Sequence, residues 1–244
     1  LDPTDSRTLY LGSQGQGLYY SYDGGDSWWQ SGPIRQGDIN AIVVPNSPSL
    51  RCTIYIATAN RILRTTDCGR FWDQQYYDTR LQEKVLSLAI NRENPSIIYA
   101  GLTTGDVLKS SDAGKSWETI ARLKGRITHI VPHVLKSSTL YLTIEGRGFW
   151  RSEDDGKNWQ DMSEQLKKFS GALTISDLTT DPTRPDTVIT ASKYGLVRTT
   201  DGGASWSALP LLTPLSSVSI SAVALNPNNP AEIYYTTDKT LYRS

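Results

Sequence analysis

Ser21-Tyr-Asp-Gly-Gly-Asp-Ser-Trp28 returns four more times along the chain. The later copies are Thr65-Thr-Asp-Cys-Gly-Arg-Phe-Trp72, Ser110-Ser-Asp-Ala-Gly-Lys-Ser-Trp117, Ser152-Glu-Asp-Asp-Gly-Lys-Asn-Trp159 and Thr199-Thr-Asp-Gly-Gly-Ala-Ser-Trp206. Their aspartates, Asp23, Asp67, Asp112, Asp154 and Asp201, lie 44, 45, 42 and 47 residues apart. A period of that size marks an architecture in which one supersecondary unit stacks on the next. Each unit reads as an apolar run, an Asn/Pro-rich turn, a short strand, a Gly- or Asn-containing turn, a second strand and then the eight-residue phrase. Around the second phrase, residues 38–44 read as a strand, Pro45-Asn-Ser-Pro48 as a turn and 53–58 as a strand. Ala59-Asn60 is a tight turn, 61–66 a third strand, and a fourth starts at Phe71-Trp72. Four short strands rich in Ile, Val, Thr and Tyr within about 45 residues make one propeller blade.

The fold expectation is therefore all-β: a β-propeller of four-stranded antiparallel blades with the phrase between strands C and D. The most apolar runs, 39–44, 85–90, 127–131, 173–178 and 220–225, are placed innermost as strand A. Strands B are expected at 8–12, 53–58, 97–101, 139–143, 187–191 and 232–236. Strands C are expected at 18–21, 62–65, 107–110, 149–152, 196–199 and 241–244, and strands D at each phrase's Trp. The first unit supplies B, C and D and the last A, B and C. The expectation is thus about six blades in a single domain over residues 1–244, two of them incomplete, as an open arc or a fragment of a larger six- or seven-bladed ring.

The phrase has a physical reading. Its Asp stands where strand C turns into strand D, and a short carboxylate there accepts backbone N–H groups of its own turn. Gly25, Gly69, Gly114, Gly156 and Gly203 suit a left-handed backbone. The Ser or Thr two residues before the Asp offers a hydroxyl to the same turn. Trp28, Trp72, Trp117, Trp159 and Trp206 are expected to fold back over the seam between blades, where a large aromatic buries most area. A motif copied once per blade is read as structural, with no catalytic residue in it.

All five phrases fit Ser/Thr-x-Asp-x-Gly-x-x-Trp, and the chain resembles the Asp-box, or BNR-repeat, propellers. Sialidases, xyloglucan-cleaving glycosidases, the sortilin receptor ectodomain and photosystem II stability/assembly factors share that repeat. Sialidases also carry an Arg triad and an early Arg-Ile-Pro, of which Arg126-Ile127-Thr128 is only a partial echo. Sortilin-type ectodomains are ten-bladed and continue into a cysteine-rich segment not found in these residues. Asn94-Pro-Ser-Ile-Ile-Tyr-Ala-Gly101 is most similar to the phrasing of photosystem II assembly factor-like proteins. That resemblance implies a non-enzymatic scaffold for other proteins.

Composition narrows the classes. Twenty-five basic and 25 acidic residues give zero formal net charge, whereas nucleic-acid binders show a basic excess. No apolar run approaches the 18 or so residues of a membrane-spanning helix. The two cysteines, Cys52 and Cys68, lie symmetrically about residue 60, which predicts a cross-strand disulfide and an extracytoplasmic setting. His129 and His133 share a strand face but lack a third metal ligand, so neither a metal nor another cofactor is expected.

Irregular loops concentrate where the B–C turns and D-to-A connections emerge, and function is sought on that rim. Residues 73–84 offer Tyr77 and Arg80, 163–169 a short amphipathic helix, and 207–217 the leucines Leu209, Leu211, Leu212 and Leu215. Tyr194 joins them from a B–C turn, and Tyr77, Arg80, Tyr194 and Leu212 are the expected protein-contact residues. Asp106 and Glu145, on turns of adjacent blades, are a conceivable acid pair for sugar chemistry, against a plain reading as solvated turn acids. Trp29 and Trp150, outside the phrases, read as packing residues. Arg64, Lys109, Arg151, Arg198 and Arg243, each just before the phrase, read as inter-blade ion-pairing groups. The expected function is an exported, non-enzymatic protein-interaction scaffold or assembly subunit, with a carbohydrate-binding or glycoside-hydrolysing propeller as the alternative.

Overall fold

A computed structural model describes residues 1–80, 82–211 and 219–244. Six antiparallel sheets follow one another along the chain among these residues, as the blades of an all-β propeller. Blade 1 holds β1 (Leu9–Gly12), β2 (Leu18–Ser21) and β3 (Trp29–Gln30). Blade 2 holds β4 (Ala41–Val43), β5 (Ile54–Thr58), β6 (Arg61–Thr65) and β7 (Asp73–Tyr77). Blade 3 holds β8 (Val85–Ile90), β9 (Ile98–Leu102), β10 (Asp106–Ser110) and β11 (Glu118–Arg122). Blade 4 holds β12 (Ile127–Pro132), β13 (Leu140–Ile144), β14 (Gly148–Ser152) and β15 (Gln160–Asp161). Blade 5 holds β16 (Ile175–Thr180), β17 (Val188–Ser192), β18 (Leu196–Thr199) and β19 (Ser207–Ala208). Blade 6 holds β20 (Ala222–Asn226), β21 (Asn229–Thr236) and β22 (Leu241–Arg243). Blades 2 to 5 have four strands and blades 1 and 6 have three, in simple sequential order. The chain forms two compact units, Leu1–Ile130 and Val131–Ser244, and the division falls inside β12.

Within each unit, the A strands of consecutive blades meet. Asn40 Nδ2 donates to Val85 O at 2.8 Å, and Ser87 Oγ to Ile127 O at 3.3 Å. Val223 N donates to Asp177 Oδ2 at 2.9 Å, and Ser176 Oγ bonds Ile220 O. The apolar runs are therefore innermost, but they are not the most buried. β9, β13 and β17, all B strands, are buried at every residue, whereas β12 and β16 are buried at only two of their six residues. A B strand has paired strands on both edges, whereas an A strand is paired on one edge only. Ile56, Ile62, Ile98, Leu102 and Ile127 have essentially no exposure, each worth about 1.5–3 kcal/mol of apolar burial. Strands D are the exposed, outer ones and begin one residue after each Trp.

The expected helix at 163–169 is a 3-10 turn, Glu164–Lys168, with Leu166 as its buried residue. Another 3-10 turn, Pro48–Leu50, lengthens the A–B connection of blade 2. No described helix is long and apolar enough to cross a membrane.

Candidate functional site

The five phrases form one hydrogen-bonded turn. The Asp Oδ1 accepts the opening hydroxyl at 2.7–2.9 Å in every copy. It also accepts the backbone N–H four residues on: Ser27 and Phe71 at 3.0 Å, Ser116 and Ser205 at 2.9 Å, Asn158 at 2.8 Å. The opening hydroxyl oxygen in turn accepts the glycine N–H, and the Trp Nε1 donates back to that glycine's carbonyl. Side chains of Ser27, Ser116, Asn158 and Ser205 add a bond to Oδ2, a role that the spacing alone did not reveal. These donors favour the charged carboxylate. Side-chain and backbone bonds from Ser116 hold Asp112 down to about 2, and bonds from Asn158 hold Asp154 at about 2. Asp23 and Asp67 are lowered too, and Asp201 is lowered although burial opposes it.

The residue before each glycine is left-handed as well: Gly24 φ 82°, Cys68 60°, Ala113 60°, Asp155 65°, Gly202 68°. Gly114 (φ 89°) lies where a Cβ would stand 3.2 Å from the Tyr55 ring of the preceding blade. The Tyr55 hydroxyl donates to Ala113 O at 2.9 Å, so the third box also receives its neighbour. Trp117 meets Tyr76 at 6.1 Å between centroids, and Trp206 meets Phe149 at 5.2 Å, both across a seam. Trp28 has no such cover and is 42% exposed.

Cys52 and Cys68 are bonded to each other. They are not opposite on the ladder, because Thr58 pairs with Arg61 and Ile54 with Thr65, which puts the hairpin tip between 59 and 60. The bond forms beyond the ladder, where Cys68 N donates to Cys52 O and both residues have positive φ.

On the rim, Asp78, Arg80 and Glu83 are clamped to one another and to the neighbouring turns. Arg80 pairs with Asp78 at 2.6 Å and Asp106 at 2.8 Å, and Glu83 lies 3.9 Å away. Asp78 Oδ2 also accepts the Tyr76 hydroxyl, and Glu83 accepts Thr103 Oγ1 and Thr104 N. Hydrogen bonds from Arg80 bring Asp78 down to about 2 against the opposing effect of burial. Arg80 is thus an internal clamp, half exposed, and Asp106 is buried beneath it. Tyr77 stands 48% exposed beside this clamp, with the Arg61 guanidinium 5.3 Å from its ring centre.

Loop 163–172 repeats the clamp with apolar chemistry. Phe169 packs on Tyr194 at 5.1 Å, and both pack against the core of their unit. Tyr194 is accordingly half buried. Leu209 and Leu211 also tuck against a core cluster, while Leu212 and Leu215 lie outside the described residues. The sequence reading named Arg80 but missed its buried partners Asp78 and Glu83. A signal existed, because Asp78-Thr-Arg80 resembles Asp181-Pro-Thr-Arg184, where Asp181 likewise binds the Arg.

Four of the pre-phrase cations have partners in their own blades. Arg64 lies over Tyr55 at 5.6 Å and Lys109 over Tyr99 at 6.0 Å. Arg151 and Arg243 pair with Glu153 and Glu232. His133 is buried, and its Nδ1 accepts Leu135 N and Lys136 N at 3.0 Å each, which puts its proton on Nε2, 3.3 Å from Asp186. It thereby does what Asn91 and Asp181 do in the equivalent A–B turns. Desolvation lowers its pKa against the pull of Asp186. No group of three His, Cys, Asp or Glu suited to a metal occurs among the described residues. Trp150 is half buried with Arg147 over its ring, but Trp29 is 46% exposed and corrects the packing expectation.

Solved structures with this fold include an ancestral GH74 enzyme, with a TM-score of 0.80 at 16% identity, covering 100% of this chain and 35% of that one. The GH74 xyloglucanase of Xanthomonas campestris gives 0.63 at 14% identity, covering 100% and 51%. YCF48 bound to D1 peptide gives 0.51 at 17% identity, covering 98% and 89%. At such identities the likeness is one of fold. Among curated proteins, the vacuolar protein sorting/targeting protein 10 of Ajellomyces capsulatus is 23% identical over 87 residues, 35% of this chain and 6% of that protein. The protein of the same name from Pyricularia oryzae is 26% identical over 119 residues, 48% of this chain and 8% of that protein. The chain therefore spans less than a tenth of the length of these relatives. The family model Sortilin-Vps10 (Sortilin, neurotensin receptor 3) matches residues 105–240, more than half of the chain. Of the families that share the Asp-box repeat, this chain belongs to Sortilin-Vps10.

Proposed function

We propose that the chain is a non-catalytic, exported propeller module that holds a protein partner on the rim of its B–C turns and D-to-A loops, as part of a larger assembly. The observation that carries this reading is the use made of the rim carboxylates. Asp78, Glu83 and Asp106 are buried against Arg80 and their own loops, and the loop they fix presents Tyr77 outward. A glycosidase acid needs a carboxyl raised toward neutrality. Asp5, Asp186 and Glu232 move the other way, held below the usual carboxylate range. A rigid, ion-locked loop carrying an exposed Tyr with an Arg over it suits an interface hot spot.

The relatives agree in kind. One structural neighbour is described as bound to a peptide, and the curated relatives are named for protein sorting and targeting. The Cys52–Cys68 bond supports an extracytoplasmic setting, and the zero net charge argues against nucleic acid as the partner. Tyr77 is the first contact residue, with Arg80 and Tyr194 shaping the loops around it and Leu212 kept as a candidate. A carbohydrate role remains the second reading, favoured by the fold likeness to GH74 enzymes.

The test places a photo-crosslinking amino acid at Tyr77 and identifies the adducts by mass spectrometry in the native host. A reproducible protein adduct, absent when the crosslinker is moved to Glu118 on an outer strand, is expected. Turnover of xyloglucan or any other glycoside by the purified chain overturns the reading.

A further inference from the structure

Six copies of one blade allow each position to be compared with its equivalents, and one row departs from the rest. In blade 2 the cross-strand partners are Tyr55, Arg64 and Asp73, and in blade 3 Tyr99, Lys109 and Glu118. Blade 4 has Tyr141, Arg151 and Gln160, and blade 5 has Ile189, Arg198 and Ser207. Each of these rows ends in a cation followed by a polar residue. Blade 1 instead aligns Tyr10, Tyr20 and Trp29. Tyr22, the next residue on that face, replaces Thr66, Ser111, Glu153 and Thr200 of the other boxes. A cation, a polar residue and a small or acidic residue have become three aromatics.

Their rings are contiguous. Tyr20 and Tyr22 lie 5.2 Å apart, Tyr22 and Trp29 6.2 Å, and Tyr20 stacks on Trp29 at 6.4 Å and 24°. Tyr22 and Trp29 are each 46% exposed. In blade 2 the equivalent row faces the next blade's box, through the Tyr55 hydroxyl on Ala113 O. The blade 1 row likewise faces the second box, and a cavity of about 240 Å³ separates them, lined by Tyr10 and Tyr22 on one side and by Arg51 and the Cys52–Cys68 bond on the other. The hydroxyls of Tyr10, Tyr20 and Tyr22 and the indole N–H of Trp29 make no hydrogen bond to any described residue. Burial keeps the Tyr10 and Tyr22 hydroxyls protonated well beyond neutral pH, so they remain donors.

We propose that the aromatic groove of Tyr10, Tyr20, Tyr22 and Trp29 binds a proline-rich segment of a partner protein in the polyproline II conformation. Such a segment has no internal hydrogen bonds, presents carbonyl acceptors in regular array and stacks its rings on aromatic walls. The groove supplies ring faces together with unpaired N–H and O–H donors. The row runs across the face of the sheet, over β1, β2 and β3, whereas an added strand would pair in the plane of the sheet along an edge. A ligand recognised here is therefore held by side chains alone, which favours polyproline II over an added β-strand. A sugar would stack on the same rings, and the carboxylates beside them would be its strongest acceptors. Asp2 and Asp5 line the same cavity, but they accept donors from their own turn, Thr4 and Thr8 among them. The inference rests on the protein-binding reading above but uses the Asp-box end of blade 1 and not the Tyr77 rim, so either can fail without the other.

The probe is fluorescein-labelled decaproline, titrated against the whole chain and followed by anisotropy and by the Trp indole resonances. Saturable binding is expected, with a shift of the Trp29 signal. Tyr20→Arg/Trp29→Gln restores residues that stand in other blades, and Tyr22→Thr changes only a surface side chain, so folding survives in at least one variant. Both should weaken binding by about tenfold or more, as loss of a central aromatic anchor does. No saturation by decaproline, or equal binding by the variants, overturns the proposal. Saturation by cellohexaose without any by decaproline assigns the groove to sugar and overturns it as well.

Discussion

Gly25 and Gly203 occupy the same position of the same turn, with φ of 101° and 100°. They differ in what approaches them. A Cβ on Gly25 would meet nothing closer than Leu9 Cδ1 at 3.4 Å, an ordinary contact. A Cβ on Gly203 would stand 2.9 Å from Met162 Cβ and 3.0 Å from Phe149 Cε1, side chains of the preceding blade. Replacing either with Ala introduces the same left-handed strain, about 1–2 kcal/mol. Only Gly203→Ala adds overpacking of a full core, about 1–3 kcal/mol more. The expected losses are therefore about 1–2 kcal/mol for Gly25→Ala and about 2–5 kcal/mol for Gly203→Ala. Urea unfolding followed by Trp emission, with amide exchange at the two boxes to localise each effect, measures both. Equal losses would refute the claim that the box glycine serves the neighbouring blade as well as its own turn. So would a larger loss at Gly25.

Two further outcomes follow from buried polar groups. His133 has its pKa lowered below the usual 6.5 by burial, so the unfolded chain takes up the proton first. Its stabilising effect is then complete above that pH and is lost as pH falls below it, with a slope approaching about 1.4 kcal/mol per pH unit. His133→Asn keeps the acceptor found at Asn91, and melting curves from pH 8 to 5 should show a flatter dependence than the parent. Arg80→Met strands Asp78 and Asp106, and because the guanidinium is half exposed the expected cost is about 1–3 kcal/mol, below that of a fully buried pair. Adding Asp78→Asn and Asp106→Asn should recover most of it, read as the rate of proteolysis between residues 78 and 84.

How much of this was legible in the sequence depends on whether the determinant was local. The boxes, all strand types and most strand bounds follow from patterns within ten residues, because a turn and two alternating strands carry their own signals. The disulfide pair was also visible, although its register was not. A one-residue difference in where the hairpin tips moved both cysteines off the ladder into the adjoining turns. Arg80 looked like a surface hot spot because Asp106 reaches it only through tertiary contact, while its local partners Asp78 and Glu83 read as ordinary loop acids. Tyr194 and Phe169 were both visible as aromatics, but only packing tells that each covers the other.

Repetition has a physical consequence for where function can arise. A substitution that improves packing in one blade can improve it in all, so structural residues drift toward a shared identity, as the Tyr–cation pairs of blades 2, 3 and 4 illustrate. A residue that binds something outside the ring has no reason to be shared. Trp29 shows the contrast with the box tryptophans: Trp117 and Trp206 lie against a neighbour and donate to their own glycine, whereas Trp29 does neither and stands in the open. Exposing an aromatic row gives up burial that a cation and a polar residue would not have needed. A molecule that packs on the row would restore that contact.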